Sequence, residues 1–428
     1  MKKFLLFKRV SALFLTAVAA FSLAACGGNS TLPDSSESVE EKTTIRFING
    51  FTGGDGPFMT KIVDGFNQSQ DKYFIEQLQD ADHYTKFKSD DFDMLIIHAD
   101  WISTYHKDGL LREVSDIYEK AGISFENDFH PITQTYAKYD DGVFAFPLDL
   151  YADTFYYNKS LTATPPESYE DLKSLRNELD SDNTNTYPLA IPLTGDHQWG
   201  WMLALGQCGV NWVENGHIKL DTPEACEAFM KIHDLIYVDK LSAPGLGDQE
   251  HYNTFVSDGG AGNVKSAVCM SGPWKYTTAK EVLGDNLGIG TLPQIYGDKK
   301  CVPAGGHTFA VSANCTDQNK LDGIAEFMKY AYQPEVMLNW ADSGQAPIHL
   351  KTMEKVKADP EKYPVAAVNY GIFDDAEILP AIYNIREQVK YVNENVWAMV
   401  VQTEDLSEEA LMEQLKTATE IAAELSES

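Results

Sequence analysis

The stretch TTIRFINGFTGGDGPFMTKIVDGF, residues 43–66, decides the fold class because it joins a strand to a helix through a turn. Residues 43–48 form a short segment that predicts a strand. The turn residues Gly53-Gly54-Asp55-Gly56-Pro57 follow, and apolar side chains then recur at helical spacing. Those side chains are Phe58, Ile62, Val63 and Phe66. The stretch therefore predicts a first strand and a first helix.

The same alternation continues along the chain. A second strand is predicted around residues 73–77, and the apolar run at residues 94–97 is typical of a buried parallel strand. Helical spacing of apolar residues recurs around residues 114–121, 225–236, 321–328 and 411–425. Strands that alternate with helices predict an α/β protein whose parallel sheet is covered by helices.

Length and charge limit the possible functions. A chain of 428 residues exceeds the usual size of one domain, so two domains are expected. The 34 Lys and Arg residues face 64 Asp and Glu residues, which leaves a formal net charge of -30. Such a charge disfavours nucleic acid and anionic lipid surfaces as partners, and it also keeps a protein soluble.

The first 25 residues have the features of an export signal. A basic start precedes residues 10–20, an apolar segment that is shorter than a membrane-spanning helix. The export signal leads into Leu23-Ala24-Ala25-Cys26-Gly27, which resembles the lipobox of bacterial lipoproteins. This resemblance implies cleavage before Cys26 and acylation of its thiol, hence a lipid anchor on the extracytoplasmic face of the cell membrane. The alternative is an ordinary signal peptide with a chance cysteine.

Residues 26–42 are rich in Ser, Gly and Glu and contain few large apolar side chains, which predicts a flexible tether. Five further cysteines lack any Cys-x-x-Cys spacing, so neither a zinc site nor another metal site is predicted. Their odd number leaves at least one thiol without an intrachain partner. These cysteines are Cys208, Cys226, Cys269, Cys301 and Cys315.

Six segments carry a resemblance to a known family through their order along the chain. They are Phe47 to Phe58; Asp93 to Ile97 with Asp100-Trp101; Gly142 to Pro147 leading into Tyr156-Tyr157-Asn158-Lys159; Pro165 to Leu172; Cys269-Met270-Ser271-Gly272-Pro273-Trp274; and Leu292-Pro293 with Gly305-Gly306. In this order they resemble the extracellular solute-binding proteins of family 1, the group similar to maltose-binding protein. One segment, Phe255 to Met270, is longer than in the family pattern because Gly259-Gly260-Ala261-Gly262 is inserted.

The resemblance implies a two-lobed periplasmic-binding-protein-like fold of type II, in which hinge crossovers join two α/β lobes. We place the crossovers near Asp149 and Gly306. The expected N-terminal lobe contains residues 43–149 and 307–360, and the expected C-terminal lobe contains residues 150–306 and 361–428. In such a fold the ligand lies between the lobes, which close by hinge bending.

Sugar ligands need aromatic rings for their C–H faces and polar side chains for their hydroxyl groups. The resemblance makes Trp274 the first candidate for a stacking residue. Of Trp199 and Trp201 we expect one, Trp199, to face the cleft and the other to lie in the core. Each candidate also has a purely structural interpretation as a core or turn residue. The remaining candidates are Tyr151, Asp153, Asp100, Asp55, Phe51, Gly306, His307 and Trp340, the last in an expected loop at residues 339–342.

Three functions remain open from the sequence. The first is capture of a sugar or oligosaccharide for an ABC importer, with its permease subunits as partners. The second is capture of another polar solute, such as a polyamine, a peptide or glycerol phosphate. The third is a carbohydrate-active enzyme, although the sequence contains no catalytic or cofactor-binding motif of the common classes. The first hypothesis implies a monomer that performs no catalysis and needs no cofactor.

Overall fold

The computed structural model describes residues 42–139, 141–180, 185–191, 198–256 and 264–427. The export signal, Cys26, residues 26–41 of the expected tether and the inserted glycine-rich segment at residues 259–262 lie outside the described residues. The strands are β1 Thr43–Asn49, β2 Tyr73–Gln79, β3 Met94–His98, β4 Lys138–Tyr139, β5 Gly142–Val143, β6 Phe146–Pro147, β7 Tyr151–Ala152, β8 Thr154–Asn158, β9 Thr186–Tyr187, β10 Val213–Glu214, β11 His217–Ile218, β12 Lys265–Ser266, β13 Val268–Ser271, β14 Leu287–Gly290, β15 Val302–Gly305, β16 His307–Val311 and β17 Ala376–Ile378.

Helices cover the sheets and account for most of the remaining regular structure. They are α1 Gly56–Ser69, α2 His83–Ser89, α3 Ala99–Lys107, α4 Ser115–Ala121, α5 Phe125–Asp128, α6 Gln134–Ala137, α7 Tyr169–Asp180, α8 Gln198–Gln207, α9 Pro223–Tyr237, α10 Asp248–Val256, α11 Tyr276–Leu283, α12 Gln318–Ala331, α13 Pro334–Ala341, α14 Leu350–Lys357, α15 Pro364–Ile372, α16 Ile385–Tyr391, α17 Ala398–Gln402 and α18 Glu408–Glu427. A π-helical segment, Val392–Trp397, joins α16 to α17.

The largest sheet has five strands in the order β2-β1-β3-β16-β6. Strand β1 runs parallel to β2 and β3, which confirms the predicted parallel arrangement of these strands. Strand β16 lies antiparallel to β3, with His307 directly opposite His98. Met94 to Ile97 of β3 are each at most 1% exposed, because helices cover both faces of a parallel sheet.

The predicted helices are confirmed, and local sequence signals explain where they begin. The side chain of Thr222 accepts a hydrogen bond from the backbone nitrogen of Ala225 and so caps α9, whose first residue is Pro223. Ser407 accepts from the backbone nitrogen of Ala410 at the start of α18. Each cap satisfies a backbone N–H group that the helix itself leaves without a partner.

One predicted loop is wrong. Trp340 lies in α13, not in a loop, and its side chain has no exposed surface. Helix α13 begins at Pro334, a residue that suits the first turn of a helix because its missing N–H would have no helical partner there.

Two short passages of the chain join the five-stranded sheet to a smaller sheet of order β17-β15-β7, and a third, longer passage lies between β16 and β17. The first passage, between β6 and β7, contains Asp149, and the second, between β15 and β16, is the single residue Gly306. These are the positions where the sequence predicts the crossovers. A further sheet, of order β13-β8-β14, carries the segment that ends just before Gly272-Pro273-Trp274.

None of the helices within the described ranges is both long enough and apolar enough to span a membrane.

Candidate functional site

Polar and aromatic side chains collect at one edge of the five-stranded sheet. The parallel strands β1 and β3 have their carboxyl ends there, followed by Phe51 and Asp55 after β1 and by Asp100 after β3. Strand β16 runs the other way, so its first residue, His307, reaches the same edge. Ligands of open α/β sheets bind beyond the carboxyl ends of the strands, which makes this edge the candidate site.

A cavity of about 240 Å³ opens at this edge, and we call it the central cavity. Residues from both sides of the two chain passages line it. They are Gly50, Phe51, Gly53, Asp55, His83, Ile96, His98 and His307 from the side of the five-stranded sheet, and Tyr151, Gln198, Trp199, Trp274 and Arg386 from the other side.

A second cavity, of about 100 Å³, adjoins the first, and we call it the side cavity. All its lining residues come from the part of the chain between the two passages or from the π-helical segment near the end. They are Asp153, Ala190, Ile191, Trp199, Gly200, Leu203, His251, Met270, Ser271, Trp274, Lys275, Tyr296 and Trp397.

Trp199 and Trp274 line both cavities and mark the junction between them. The ring of Tyr151 packs edge-on against both, with centroids 6.0 Å from Trp199 and 5.5 Å from Trp274. Trp274 is half-buried in a short 3-10 turn that begins at Pro273. The three rings form an aromatic wall that polar side chains surround.

Trp199 and Trp201 have different environments although both belong to α8. Trp201 has no exposed surface, donates a hydrogen bond to Asn393 and packs edge-on against Trp212. Trp199 faces both cavities, and its indole Nε1 has no hydrogen-bond partner among the described residues. A buried indole N–H without a partner is costly, so a ligand acceptor at this position would recover that cost.

Asp149 is a buried carboxylate with donors on both oxygens. The backbone nitrogen of His307 donates to Oδ1 at 2.9 Å, and the indole Nε1 of Trp340 donates to Oδ2 at 2.6 Å. The Nδ1 atom of His307 lies 2.9 Å from Oδ2. Three donors from two other segments therefore fix the first passage of the chain against the second.

His98 is held in a similar way by Tyr84. The hydroxyl group of Tyr84 lies 2.5 Å from Nδ1 of His98 and accepts a hydrogen bond from the backbone nitrogen of His98 at 2.9 Å. Burial, followed by the nearby His307, Arg386 and His83, holds the pKa of His98 well below its usual value. His98 is therefore neutral at physiological pH.

An ion pair connects the two sides of the central cavity. The guanidinium Nε of Arg386, in α16, lies 2.6 Å from Oδ2 of Asp100, in α3. Both side chains are largely shielded from water, and Arg386 lines the cavity. The cationic charge of Arg386 is consequently balanced before any ligand arrives.

Asp55 lies at the start of α1 and is 6% exposed. Burial raises the pKa of its carboxyl group above the ordinary value of 3.8, while His307 and hydrogen bonds from its own backbone and Gln345 act in the opposite direction. The turn before it passes close to α11, because a Cβ atom on Gly54 would lie 2.4 Å from the hydroxyl oxygen of Thr277. Glycine thus permits the two sides of the cavity to approach at this turn.

No group of three or more His, Cys, Asp and Glu side chains that could hold a metal ion occurs in the part of the chain that the structure describes.

Comparison with known proteins identifies the family. A family model described as bacterial extracellular solute-binding protein matches residues 75–365, more than half of the chain. The chain belongs to this family. The family assignment confirms the resemblance that the motifs carry.

Two relatives of this solute-binding protein are named for sugars. The maltotriose-binding protein of Pyrococcus abyssi is 25% identical over 281 residues, which cover 63% of this chain and 58% of the relative. The arabinooligosaccharide-binding protein of Halalkalibacterium halodurans is 25% identical over 205 residues, 46% of this chain and 44% of the relative. The chain thus aligns with about half the length of these relatives.

Two solved structures share the fold of this solute-binding protein. Maltose-bound MalE3 of T. maritima superposes with a TM-score of 0.75 at 18% identity, covering 89% of this chain and 99% of the other. The GacH receptor of Streptomyces glaucescens superposes with a TM-score of 0.74 at 18% identity, covering 91% and 100%. These likenesses confirm the predicted two-lobed, periplasmic-binding-protein-like α/β fold.

The structure of this solute-binding protein brings most of the predicted site residues together. Seven of them line the two cavities: Phe51, Asp55, Tyr151, Asp153, Trp199, Trp274 and His307. Three do not: Asp100 contacts the site through Arg386, Gly306 forms the second passage, and Trp340 packs behind Phe51 with ring centroids 4.7 Å apart.

Sequence reasoning missed several lining residues. His98 is the last residue of β3, and the rule that ligands bind beyond strand ends would have suggested it. Gln198 precedes Trp199 at the start of α8, and His83 lies at the start of α2. Arg386 carries no local signal, since its position depends on a helix that returns to the site from the end of the chain.

Proposed function

We propose that this protein is the substrate-binding component of an ABC importer and captures a sugar or oligosaccharide without altering it. The observation that carries the proposal is the meeting of Trp199 and Trp274 at the junction of two cavities lined with polar side chains. Aromatic faces pack against the C–H groups of a sugar ring, and the surrounding polar groups bind its hydroxyls. The names of the sugar-binding relatives support this ligand class.

We propose lobe boundaries at the two short passages of the chain and at residues 360–361, within the longer passage between β16 and β17. Residues 43–149 and 307–360 form the N-terminal lobe, and residues 150–306 and 361–428 form the C-terminal lobe. The membership of the five-stranded sheet supports this division, because its strands come only from residues 43–147 and 307–311. The sheet that contains β7, β15 and β17 draws its strands from the other set.

Closure of the two lobes around the ligand follows from which lobe supplies the residues that line each cavity. The side cavity is lined by residues of the proposed C-terminal lobe, so its surface exists whether the cleft is open or closed. The central cavity needs both lobes. A ligand that touches both lobes makes all its contacts only in the closed form and therefore shifts the population toward closure.

The charges at the walls favour a neutral ligand over a polyamine or a phosphate ester. Apart from histidines, the central cavity carries one acid, Asp55, and one base, Arg386, and the side cavity carries Asp153 and Lys275. Neither wall has the excess of one sign that a strongly charged ligand would require. Neutral polyhydroxyl compounds match this balance.

We also propose that a lipid on Cys26 anchors the mature protein at the extracytoplasmic face of the cell membrane, with the permease subunits as its partners. The lipobox-like sequence at residues 23–27 supports the anchor. Membership of an extracellular solute-binding family supports the location.

A thermal-shift screen against mono- and oligosaccharides tests the proposed function. A ligand that binds only the folded protein at 100 times its Kd adds about 2.7 kcal/mol to the free energy of unfolding, so the melting temperature rises. Spermidine, glycerol 3-phosphate and a tripeptide serve as controls for the other solute classes. A shift with one of these and none with any sugar would contradict the proposal, and release of a shortened sugar on long incubation would identify an enzyme.

A further inference from the structure

Two histidines face each other across the floor of the central cavity. His98 and His307 are directly opposed residues of the antiparallel pair β3 and β16, so their side chains lie on the same face of the sheet. Their ring centroids are 4.8 Å apart, and both rings line the cavity. In each ring Nδ1 is engaged on the protein side, which leaves Nε2 as the nitrogen available to a ligand.

The partner of His307 makes its Nε2 atom an acceptor. Asp149 already accepts hydrogen bonds on both carboxylate oxygens from backbone and indole N–H groups, so it acts as an acceptor toward His307 as well. Nδ1 of His307, 2.9 Å from Oδ2, must therefore carry the proton. In a neutral imidazole the other nitrogen, Nε2, then has a free lone pair.

The partner of His98 produces the opposite tautomer. The hydroxyl oxygen of Tyr84 accepts from the backbone N–H of His98, and burial raises the pKa of Tyr84 well above its usual value, so the phenol keeps its proton. That proton has one acceptor among the described residues, Nδ1 of His98. A proton on Nδ1 would leave the phenol proton without an acceptor, so the proton of the His98 ring lies on Nε2.

We propose that His98 and His307 form a complementary donor and acceptor pair that recognises one hydroxyl group of the ligand. The hydroxyl accepts from Nε2–H of His98 and donates to Nε2 of His307. Two hydrogen bonds of about 2.8 Å that meet at a near-tetrahedral oxygen separate their partner nitrogens by about 4.6 Å, and rings whose centroids lie 4.8 Å apart allow the two Nε2 atoms such a separation. This inference rests on the proposed function and specifies which ligand group the cavity floor selects.

The pair discriminates by chemistry because few groups can both donate and accept at one atom. A methoxy or carboxylate oxygen cannot donate to His307, and an ammonium group cannot accept from His98. Either replacement leaves one buried ring nitrogen without a partner, which is how polar sites reject analogues that lack a single hydroxyl. The central cavity is therefore selective for a free hydroxyl at one position of the sugar.

The tautomers can be measured without any ligand. In protein labelled with ¹⁵N-histidine, two-bond ¹⁵N–¹H correlation spectra distinguish the two neutral tautomers and the imidazolium, and His98→Gln and His307→Gln variants assign the signals. We expect His98 protonated on Nε2 and His307 protonated on Nδ1 at pH 7.5. The same tautomer in both rings, or an imidazolium at His307, would overturn the inference.

A tyrosine variant tests the cause of the His98 tautomer. Tyr84→Phe removes the hydroxyl, so the His98 signals should move toward a mixture of tautomers while His307 stays unchanged. Tyr139→Phe is the matched control, because Tyr139 stacks on another histidine, His106. A His98 pattern unaffected by Tyr84→Phe would overturn the proposed role of Tyr84 and with it the assignment of a donor at Nε2.

A binding experiment measures the affinity for maltotriose and for its monodeoxy and mono-O-methyl derivatives. The corresponding arabinotriose series replaces it if only arabinotriose raises the melting temperature. At one hydroxyl position of the sugar, either change should lower the affinity about 10- to 100-fold. In His98→Ala or His307→Ala, a change at the same position should lower the affinity little further. His217→Ala is the control. If the loss from the change in the sugar and the loss from the histidine variant were additive at every position, the inference would be overturned and the proposed function would stand. If no sugar bound, the proposed function would be overturned.

Discussion

Asp149 accepts hydrogen bonds from both the backbone nitrogen and the ring Nδ1 of His307, at 2.9 Å each. Asp149 lies in the first short passage between the sheets, and His307 directly follows the second, 158 residues later in the sequence. Through this contact the hinge region and the wall of the central cavity share one side chain, His307. A ligand that touches His307 consequently touches the group that fixes the hinge.

Removal of this carboxylate should strongly destabilise the protein. Asp149→Ala leaves three buried donors without an acceptor, so we expect a loss of about 3 kcal/mol or more in the free energy of unfolding. Trp340→Phe removes only one of the donors and should cost about 1 to 2 kcal/mol. Urea unfolding measures both values. Equal losses in the two variants would contradict the central role of Asp149.

Trp274 should affect ligand affinity much more than stability. Trp274→Ala removes a half-buried ring from the junction of the cavities, so sugar affinity should fall by about 100-fold or more while the melting temperature of the unliganded protein changes little. Titration of the intrinsic fluorescence and thermal unfolding give the two readouts.

Trp201→Ala is the control for this prediction. Trp201 lies in the same core as Trp212 and bonds to Asn393, so its removal should cost about 3 to 5 kcal/mol of stability. If Trp274→Ala destabilised the unliganded protein as much as Trp201→Ala, Trp274 would be a core residue and not a binding residue.

The sequence was sufficient to predict the elements that depend on local patterns. Strand β3 is an uninterrupted apolar run, and α9 begins with Thr222-Pro223, so neither needs information from distant residues. Trp274 and the two passages were predicted from the resemblance. Trp340 was misplaced because the helix-starting signal of Pro334 was not used.

The missed part of the site depends on long-range pairing. The side chain of His98 belongs to the site because β16, which follows more than 200 residues later, pairs with β3 and places His307 opposite it. Arg386 enters the site because α16 returns from the end of the chain to meet α3. No local pattern around residue 386 contains this information, since charged residues on helices usually lie in solvent.

The ion pair between Asp100 and Arg386 should favour the closed form. Arg386→Gln removes the charge that joins α3 to α16, so the unliganded protein should open, its radius of gyration should rise, and sugar affinity should fall by about 5- to 10-fold. Small-angle X-ray scattering and a titration measure these effects. Asp100→Asn should act through the same pair, so the double variant should lose less than the sum of the two single losses.

Lys138→Ala is the control, because Lys138 pairs with Glu126 on the exposed surface at 3.1 Å, away from the cavity. An unchanged radius of gyration in Arg386→Gln, or strictly additive effects of the two single variants, would show that the ion pair does not hold the lobes together.

Cys26 should determine where the mature protein resides. Cys26→Ser removes the thiol that a lipid would modify, so the protein should move from the membrane fraction to the soluble fraction and should no longer incorporate labelled palmitate. Cys208→Ser is the control, since Cys208 is a free, partly buried thiol of the folded chain. Retention of Cys26→Ser in the membrane fraction would contradict the proposed anchor.

Asp55 should make the unliganded protein less stable as the pH rises. Burial raises the pKa of the folded carboxyl above 3.8, so between that value and the raised pKa the folded state binds a proton that the unfolded state has lost. The free energy of unfolding therefore falls with rising pH across this window and stays lower above it. Asp55→Asn removes this cost, so its melting temperature should exceed that of the wild type at pH 7, and the difference should shrink as the pH approaches 4. Asp64→Asn, at an exposed position of the same helix, is the control. A difference that is independent of pH would show that burial of the Asp55 charge is not its cause.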